Sequence, residues 1–211
     1  MVERRSLKAC QLRVRVPPEA PILPGYIDTF FVADLHFGHA KIIELCGRPF
    51  ADDDEQTEVI TANWNAIVKP QDTVWVVGDF CMNNPQRFLK RLNGSTRLIK
   101  GNHDHRYADR AKTGFVSVRD TKMLKLRGQE IWLSHYAHRV WPKMHYGAWH
   151  LFGHSHGTLK DWKNRSIDVG VDARKNYFAG DQKALFAPWS FDELAAVFAT
   201  HPKTEGCAKS I

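Results

Sequence analysis

Five short apolar runs in this chain each stop at Asp, Asn or His, and that repeated design restricts what the chain can fold into. Thr29-Phe30-Phe31-Val32-Ala33 stops at Asp34-Leu35-His36, and Thr73-Val74-Trp75-Val76-Val77 stops at Gly78-Asp79. Leu98-Ile99-Lys100 stops at Gly101-Asn102-His103-Asp104. Glu130-Ile131-Trp132-Leu133 stops at Ser134-His135, and Leu151-Phe152 stops at Gly153-His154-Ser155-His156. Uninterrupted apolar runs suit strands covered on both faces. In α/β proteins the chemistry sits at strand ends. Gly101 is expected where the backbone bends sharply after a buried strand, because it lacks a Cβ. The five ends are expected to converge on one site holding two metal ions.

The chain has 211 residues, enough for one domain with a substantial core or at most two small ones. Its 43% hydrophobic and 25% charged content is that of a globular protein, which argues against extensive disorder. No run is long and apolar enough to span a bilayer. The basic start, Met1-Val2-Glu3-Arg4-Arg5, lacks the apolar stretch of a secretory signal, so a cytoplasmic location is expected. Cys10, Cys46, Cys81 and Cys207 form no C-x-x-C pair and read as reduced thiols rather than a disulfide framework or zinc ribbon. The formal net charge of +7 favours anionic partners, but the basic residues are dispersed and define no nucleic-acid groove.

In chain order, residues 1–25 read as a proline-rich extension with an edge strand over 12–16, residues 26–200 as the domain, and residues 201–211 as a tail. A helix is expected through Ile42, Ile43 and Leu45, stopped near Gly47. A second covers 55–68, with Val59, Ile60, Trp64 and Ile67 at helical spacing. The acidic run 52–55 favours its start. Asn84-Pro85 opens a third, with Phe88, Leu89 and Leu92 on its apolar face. Residues 105–120 give no clear pattern. Residues 123–126 and 130–133 read as a hairpin turning at Arg127-Gly128-Gln129. Tyr136 to Trp149 is an aromatic-rich loop, Ser166 to Val171 alternates like a strand, and Ser190 with Glu193 is a capping box opening a last helix. These elements predict a two-sheet α/β core covered by helices, with the polar strand ends at one rim.

Asp34, His36, Asp79, Asn102, His135, His154 and His156 offer oxygen and imidazole without thiolate. That set suits Mn²⁺, Fe, Zn²⁺, Ni²⁺ or Co²⁺ in a reactive centre rather than a structural zinc site. Seven ligands fit two cations if one carboxylate is shared, and Asp79, alone after the most apolar strand, is the natural bridge. D-x-H and H-x-H place two ligands on one side of an extended backbone. Each motif alone is commonplace: a lone Gly-Asp is a turn, and a lone His is usually a surface or core residue. All five in this order are not.

The series Asp34-x-His36, Gly78-Asp79, Gly101-Asn102-His103-Asp104, His135 and Gly153-His154-x-His156 resembles the calcineurin-like metallophosphoesterase superfamily over about residues 30–172. The stretch from Phe37-Gly38-His39 to Arg48-Pro49-Phe50 resembles its small single-domain bacterial and phage members. The resemblance implies a four-layer α/β/β/α sandwich of two mixed sheets flanked by helices. It implies one metal held by Asp34, His36, Asp79 and His156, and another by Asp79, Asn102, His135 and His154. It makes His103 the catalytic histidine, with Asp104 orienting its imidazole.

The expected activity is hydrolysis of phosphate esters, phosphodiesters favoured, by a hydroxide held between two divalent ions, Mn²⁺ first among them. His103 assists the leaving group. His39 and Arg48 are candidates to contact the substrate phosphate. His138 is a candidate outer-shell group, and Tyr136, Trp141, Tyr146 and Trp149 are candidates for an aromatic wall. The expected partner is a phosphate ester, nucleotide or nucleic acid included, and no membrane. The competing readings are a phosphomonoesterase or protein phosphatase, a non-catalytic scaffold keeping the fold, and a nucleic-acid-binding module suggested by charge alone. No G-x-S-x-G elbow supports a serine hydrolase.

Overall fold

The computed structural model describes residues 27–106, 113–159 and 165–201. The expected extension with its edge strand, and residues 202–211, lie outside them.

Among the described residues, nine strands form two mixed sheets. The first takes β1 (Thr29–Val32), β2 (Thr73–Val77), β3 (Ser95–Ile99), β4 (Ser117–Arg119) and β9 (Trp189–Ser190), in the order β4-β3-β2-β1-β9. Its pairings are parallel except for the β9 edge. The second takes β5 (Thr121–Leu126), β6 (Gln129–Ser134), β7 (Trp149–Phe152) and β8 (Ser166–Asp168), in that order. Here β5 and β6 are an antiparallel hairpin, and β6, β7 and β8 run parallel. Flanking helices complete the α/β fold expected from the sequence.

Side-chain alternation along the strands builds two cores. Val74, Val76 and Leu98 face a cluster with Ile60, Trp64 and Phe88. Trp75, Val77 and Ile99 point the opposite way and meet Ile131, Leu133, Leu151 and Ile167 of the second sheet. The first cluster is roofed by α1 (Lys41–Cys46), α2 (Asp53–Ile67) and α3 (Gln86–Leu89). The second is closed by α4 (Phe191–Thr200), which brings in Leu194, Val197 and Phe198. On the outer face of the second sheet the loop after β6 folds back, and Trp141 lies over His150 with ring centroids 5.2 Å apart.

Local chemistry explains most boundaries. Gly47 ends α1 in the left-handed conformation, as expected there. The Asp52 carboxylate accepts the Glu55 amide and starts α2, whose first turn is acidic as anticipated. Ser190 and Glu193 cap α4 reciprocally. Ile67 departs from the predicted face of α2: it is 40% exposed, while Gln56, Thr57 and Thr61 are buried. The β5–β6 turn is also tighter than expected. It uses Arg127 and Gly128 alone, both at positive φ, as a two-residue hairpin requires, and Gln129 already belongs to β6. Two strands had no clear pattern in the sequence, β4 and β9. Among the described residues no helix is long and apolar enough to cross a membrane.

Candidate metal centre

The loops that follow β1 and β2 are zipped together by their own backbones. Asp34 donates to the Gly78 carbonyl, His36 to that of Asp79, and Phe37 to that of Phe80, each at 3.0 Å. The end of β1 also reaches across to the second sheet. The Ala33 amide donates to the Val169 carbonyl at 3.0 Å, and Val171 donates back to Ala33 at 3.1 Å. This join brings the polar ends of both sheets to one rim.

Among the described residues, Asp34, His36, Asp79, His154 and His156 have positive φ, and only Arg127 and Lys143 share that state among non-glycine residues. The backbone at D-x-H and H-x-H is therefore not extended, contrary to expectation. Each pair converges because both residues occupy the left-handed region, which is unfavourable for a residue with a Cβ. Such strain is tolerated where the surrounding structure imposes it, and here the zipped loops do so.

Gly101 also has a different role from the one expected. Its φ is ordinary, but a Cβ there would stand 2.1 Å from Asp79 Oδ1. It provides room for the carboxylate rather than a bend. Gly78 does the same for an imidazole, since a Cβ would lie 2.0 Å from His135 Nδ1.

Asp79 occupies the centre. Its Oδ2 lies 3.4 Å from His135 Nε2, 3.6 Å from His36 Nε2 and 4.0 Å from His103 Nε2, while its Oδ1 accepts the His103 amide at 2.9 Å. Burial works to raise its pKa, but the hydrogen bond and charge of His135, with the His103 amide, bring it down to about 2. The Val77 carbonyl accepts from His135 Nδ1 at 2.9 Å, which directs Nε2 at Asp79 and at Asn102 Oδ1, 3.1 Å away. Burial opposes protonation of His135, yet Asp79 and Asp34 raise its pKa to about 9. Asn102 Oδ1 also sits 2.9 Å from His154 Nδ1. Asp34 is fully buried, and both its oxygens accept the His154 amide at 3.0 Å. Burial and the nearby charge of Asp168 push its pKa up to about 7.

The donors gather into sets whose atoms lie within 4.8 Å of one another: Asp34, His36 and His156 in one, Asp79, His135 and His154 in another. A third set links His36, Asp79 and His103. The donor set fits divalent cations on two observations. His36 Nε2 is buried without a hydrogen-bond partner, and burial holds that ring neutral with a pKa near 3, the form that ligates metal. Asp34 is fully buried, and the charges of His156 and His135 do not offset its desolvation, a deficit that a divalent ion would make up.

Several expected roles need correction. Asp104 does not hydrogen-bond the His103 imidazole. It is fully buried, and its carboxylate accepts the amides of Asp79, Phe80 and Gly101, stapling the β2 and β3 loops together. Arg48 does not face a substrate. Its buried guanidinium grips Asp172 through Nε at 3.0 Å and Nη2 at 2.7 Å. The rest of its fork donates to Gln56 and to the carbonyls of Asp34 and Leu35. The aromatic wall does not form. Trp149 stacks on Phe198 in the core, Trp141 covers His150, and Tyr146 is 89% exposed. Only Tyr136 stands at the site, edge-on to His154 at 4.7 Å. His138 meets Ser134 Oγ at 2.7 Å rather than the His135 ring. His39 does sit at the mouth, its Nδ1 3.3 Å from His36 Nδ1 and its ring 5.7 Å from that of His103.

Asp172 was missed. Its Oδ2 lies 2.7 Å from His156 Nδ1, so it orients that ring as a second carboxylate behind a metal-type histidine. Burial opposes protonation of His156, but Asp172, with Cys46 and Asp34, raises its pKa to about 10. Asp168 was missed too; it accepts the amides of Gly157 and Gly170 and fixes the H-x-H loop. The signal was present, because Asp168 ends β8 and Asp172 follows Val169-Gly170-Val171.

Parallel strands ending in a buried cluster of carboxylates and imidazoles define a metal-dependent hydrolase type of site. A profile of the calcineurin-like phosphoesterase superfamily domain matches residues 28–170, so the chain belongs to that family, which acts on phosphate esters with divalent metal ions. An uncharacterized protein of Methanocaldococcus jannaschii is 27% identical over 154 residues, covering 68% of this chain and 81% of that protein. The Gene 66 protein of Mycobacterium phage L5 is 29% identical over 182 residues, covering 69% of this chain and 87% of the phage protein. The crystal structure of a protein of unknown function from Aquifex aeolicus shares the fold, with a TM-score of 0.63 and 22% identity over 82% of this chain and all of that one.

Proposed function

We propose that this chain is a binuclear metallophosphoesterase that favours phosphodiesters and works with manganese. The observation that carries the reading is the place of Asp79: one buried carboxylate oxygen faces His36, His135 and His103 at once, with a donor set on either side. Asp34, His36, Asp79 and His156 would hold one ion, and Asp79, Asn102, His135 and His154 the other. Bound there, the ions supply a hydroxide near neutral pH and neutralise charge on the phosphoryl oxygens.

The chain's own residues then set geometry and proton traffic. Asp172 and the Val77 carbonyl fix the His156 and His135 rings. His103 stands at the open side of the cluster, its side chain 34% exposed, where it meets the leaving oxygen. In its protonated form it gives that oxygen a proton as the P–O bond breaks. The water oxygen ends on phosphorus, and the products are a phosphate monoester and an alcohol. Diesters are favoured because the cluster opens on a cavity of about 380 Å³ that includes His103, leaving space for a second ester substituent. The thiols of Cys46 and Cys81 suit a cytoplasmic setting.

The test compares bis(4-nitrophenyl) phosphate with 4-nitrophenyl phosphate after loading with Mn²⁺. Faster diester cleavage is expected, and the reverse order would make the chain a phosphomonoesterase. In His103→Ala, kcat should fall about 10²- to 10⁴-fold while metal content stays at two ions per chain. Loss of metal in that variant would move His103 among the ligands. No hydrolysis of either ester with Mn²⁺, Ni²⁺ or Co²⁺ would favour a scaffold.

A further inference from the structure

The cavity beside His103 is lined by His39, Lys41, Asn83, His103, His105 and Arg106 among others, and among the described residues by no carboxylate. Its volume of about 380 Å³ is within the range of small-ligand sites. We propose that it is a subsite for a second phosphate carried on the leaving-group side of the substrate, held by Lys41 and Arg106. The proposal rests on the phosphoesterase reading, because His103 marks which side the leaving group departs from.

Position gives the first support. His103 belongs to both the cluster and the cavity: its Nε2 is 4.0 Å from Asp79 Oδ2, and its ring also lines the pocket. A group bonded to the oxygen that His103 protonates therefore extends into this space. Charge gives the second. Two permanent cations and three imidazoles converge there without an acidic residue among the described lining residues. The nearby carboxylate of Asp53 is outside the lining and accepts the amides of Gly38 and His39. Neither Lys41 nor Arg106 forms an ion pair among the described residues. A guanidinium fork and an ammonium facing one space are the usual recognition set for phosphate, and a neutral alcohol would leave both charges unanswered. The substrate class that follows is a phosphodiester whose leaving alcohol bears its own phosphate, as in a terminally phosphorylated oligonucleotide.

Three thymidine dinucleotides test this with the Mn²⁺-loaded protein: TpT, pTpT and TpTp. Whichever ester bond breaks, one of the phosphorylated pair carries its extra phosphate on the leaving side. That compound should be cleaved with a kcat/KM about tenfold or more above TpT, and the ratio should fall to within about twofold in Lys41→Gln/Arg106→Gln. Binding gives a second readout. By calorimetry the wild type should prefer thymidine 3′,5′-bisphosphate to either monophosphate by about tenfold, and the double variant should lose that preference. Equal cleavage of all three dinucleotides, or a preference that survives the double substitution, would overturn the subsite while leaving the phosphoesterase reading intact. If nothing is hydrolysed, the phosphoesterase reading fails, and the binding ratio alone decides whether the cavity takes two phosphates.

Discussion

Replacing Arg48 with methionine should cost more stability than any other single change of a charged residue outside the candidate ligands. Its side chain is fully buried and pairs with an Asp172 side chain only 2% exposed. Methionine keeps the aliphatic volume but leaves the Asp172 carboxylate without its guanidinium. It also strips the carbonyls of Asp34 and Leu35 and the Gln56 amide oxygen of a donor. Removing one partner of a buried ion pair costs about 3–5 kcal/mol. His156 still faces Asp172, which places the expected loss near the lower end, about 3 kcal/mol. Urea denaturation of the chelator-treated protein reads this directly: with a slope of about 1–3 kcal/mol per molar, the midpoint should fall by about 1–3 M. Arg91→Met is the control, because its pair with Glu58 is exposed and should be worth about 0–1 kcal/mol. A loss in Arg48→Met no larger than in the control would refute the assignment and return Arg48 to the list of substrate contacts.

Gly101→Ala should lower metal content well below that of wild type, because its Cβ would stand 2.1 Å from Asp79 Oδ1; full occupancy by elemental analysis would contradict the crowding. Asp104→Asn should lower stability by about 1.5–3 kcal/mol, since a charged acceptor of three amides is lost. It should leave the pH profile of kcat in place; a shifted profile at unchanged stability would mean that Asp104 acts on His103 after all. Burial holds His150 at a pKa of about 3, below its ordinary value, so the unfolded chain binds the extra proton first as pH falls. Stability from keeping this ring neutral is complete above about pH 6.5 and declines toward pH 3, with about 2 kcal/mol gone at pH 5. His150→Gln should therefore show a smaller drop in stability between pH 7.5 and pH 5 than wild type, and parallel losses would exclude His150 as the cause.

The candidate site was legible where its signal was local. An apolar run followed by Gly78-Asp79 or by Gly101-Asn102 announces a buried strand and a polar end within seven residues, and Ser190 with Glu193 announces a helix within four. Where the decisive contact was distant, the same reasoning misassigned the residue. Arg48 reads as a phosphate ligand because its partner Asp172 lies 124 positions away. Asp104 reads as a companion of its neighbour His103, yet its carboxylate accepts from amides folded over it from the β2 loop. β4 and β9 escaped notice because strands of three and two residues carry too little alternation, and pairing with β3 and β1 makes them strands.

By itself the sequence determined which residues end each buried strand and which donor atoms they bring, because apolar patterning and ligand chemistry are properties of short segments. Only the tertiary structure decided how those donors point. The left-handed backbone at Asp34, His36, Asp79, His154 and His156 is unfavourable in any isolated segment. It exists because loops that follow different strands hydrogen-bond to one another, and no single segment contains that partner.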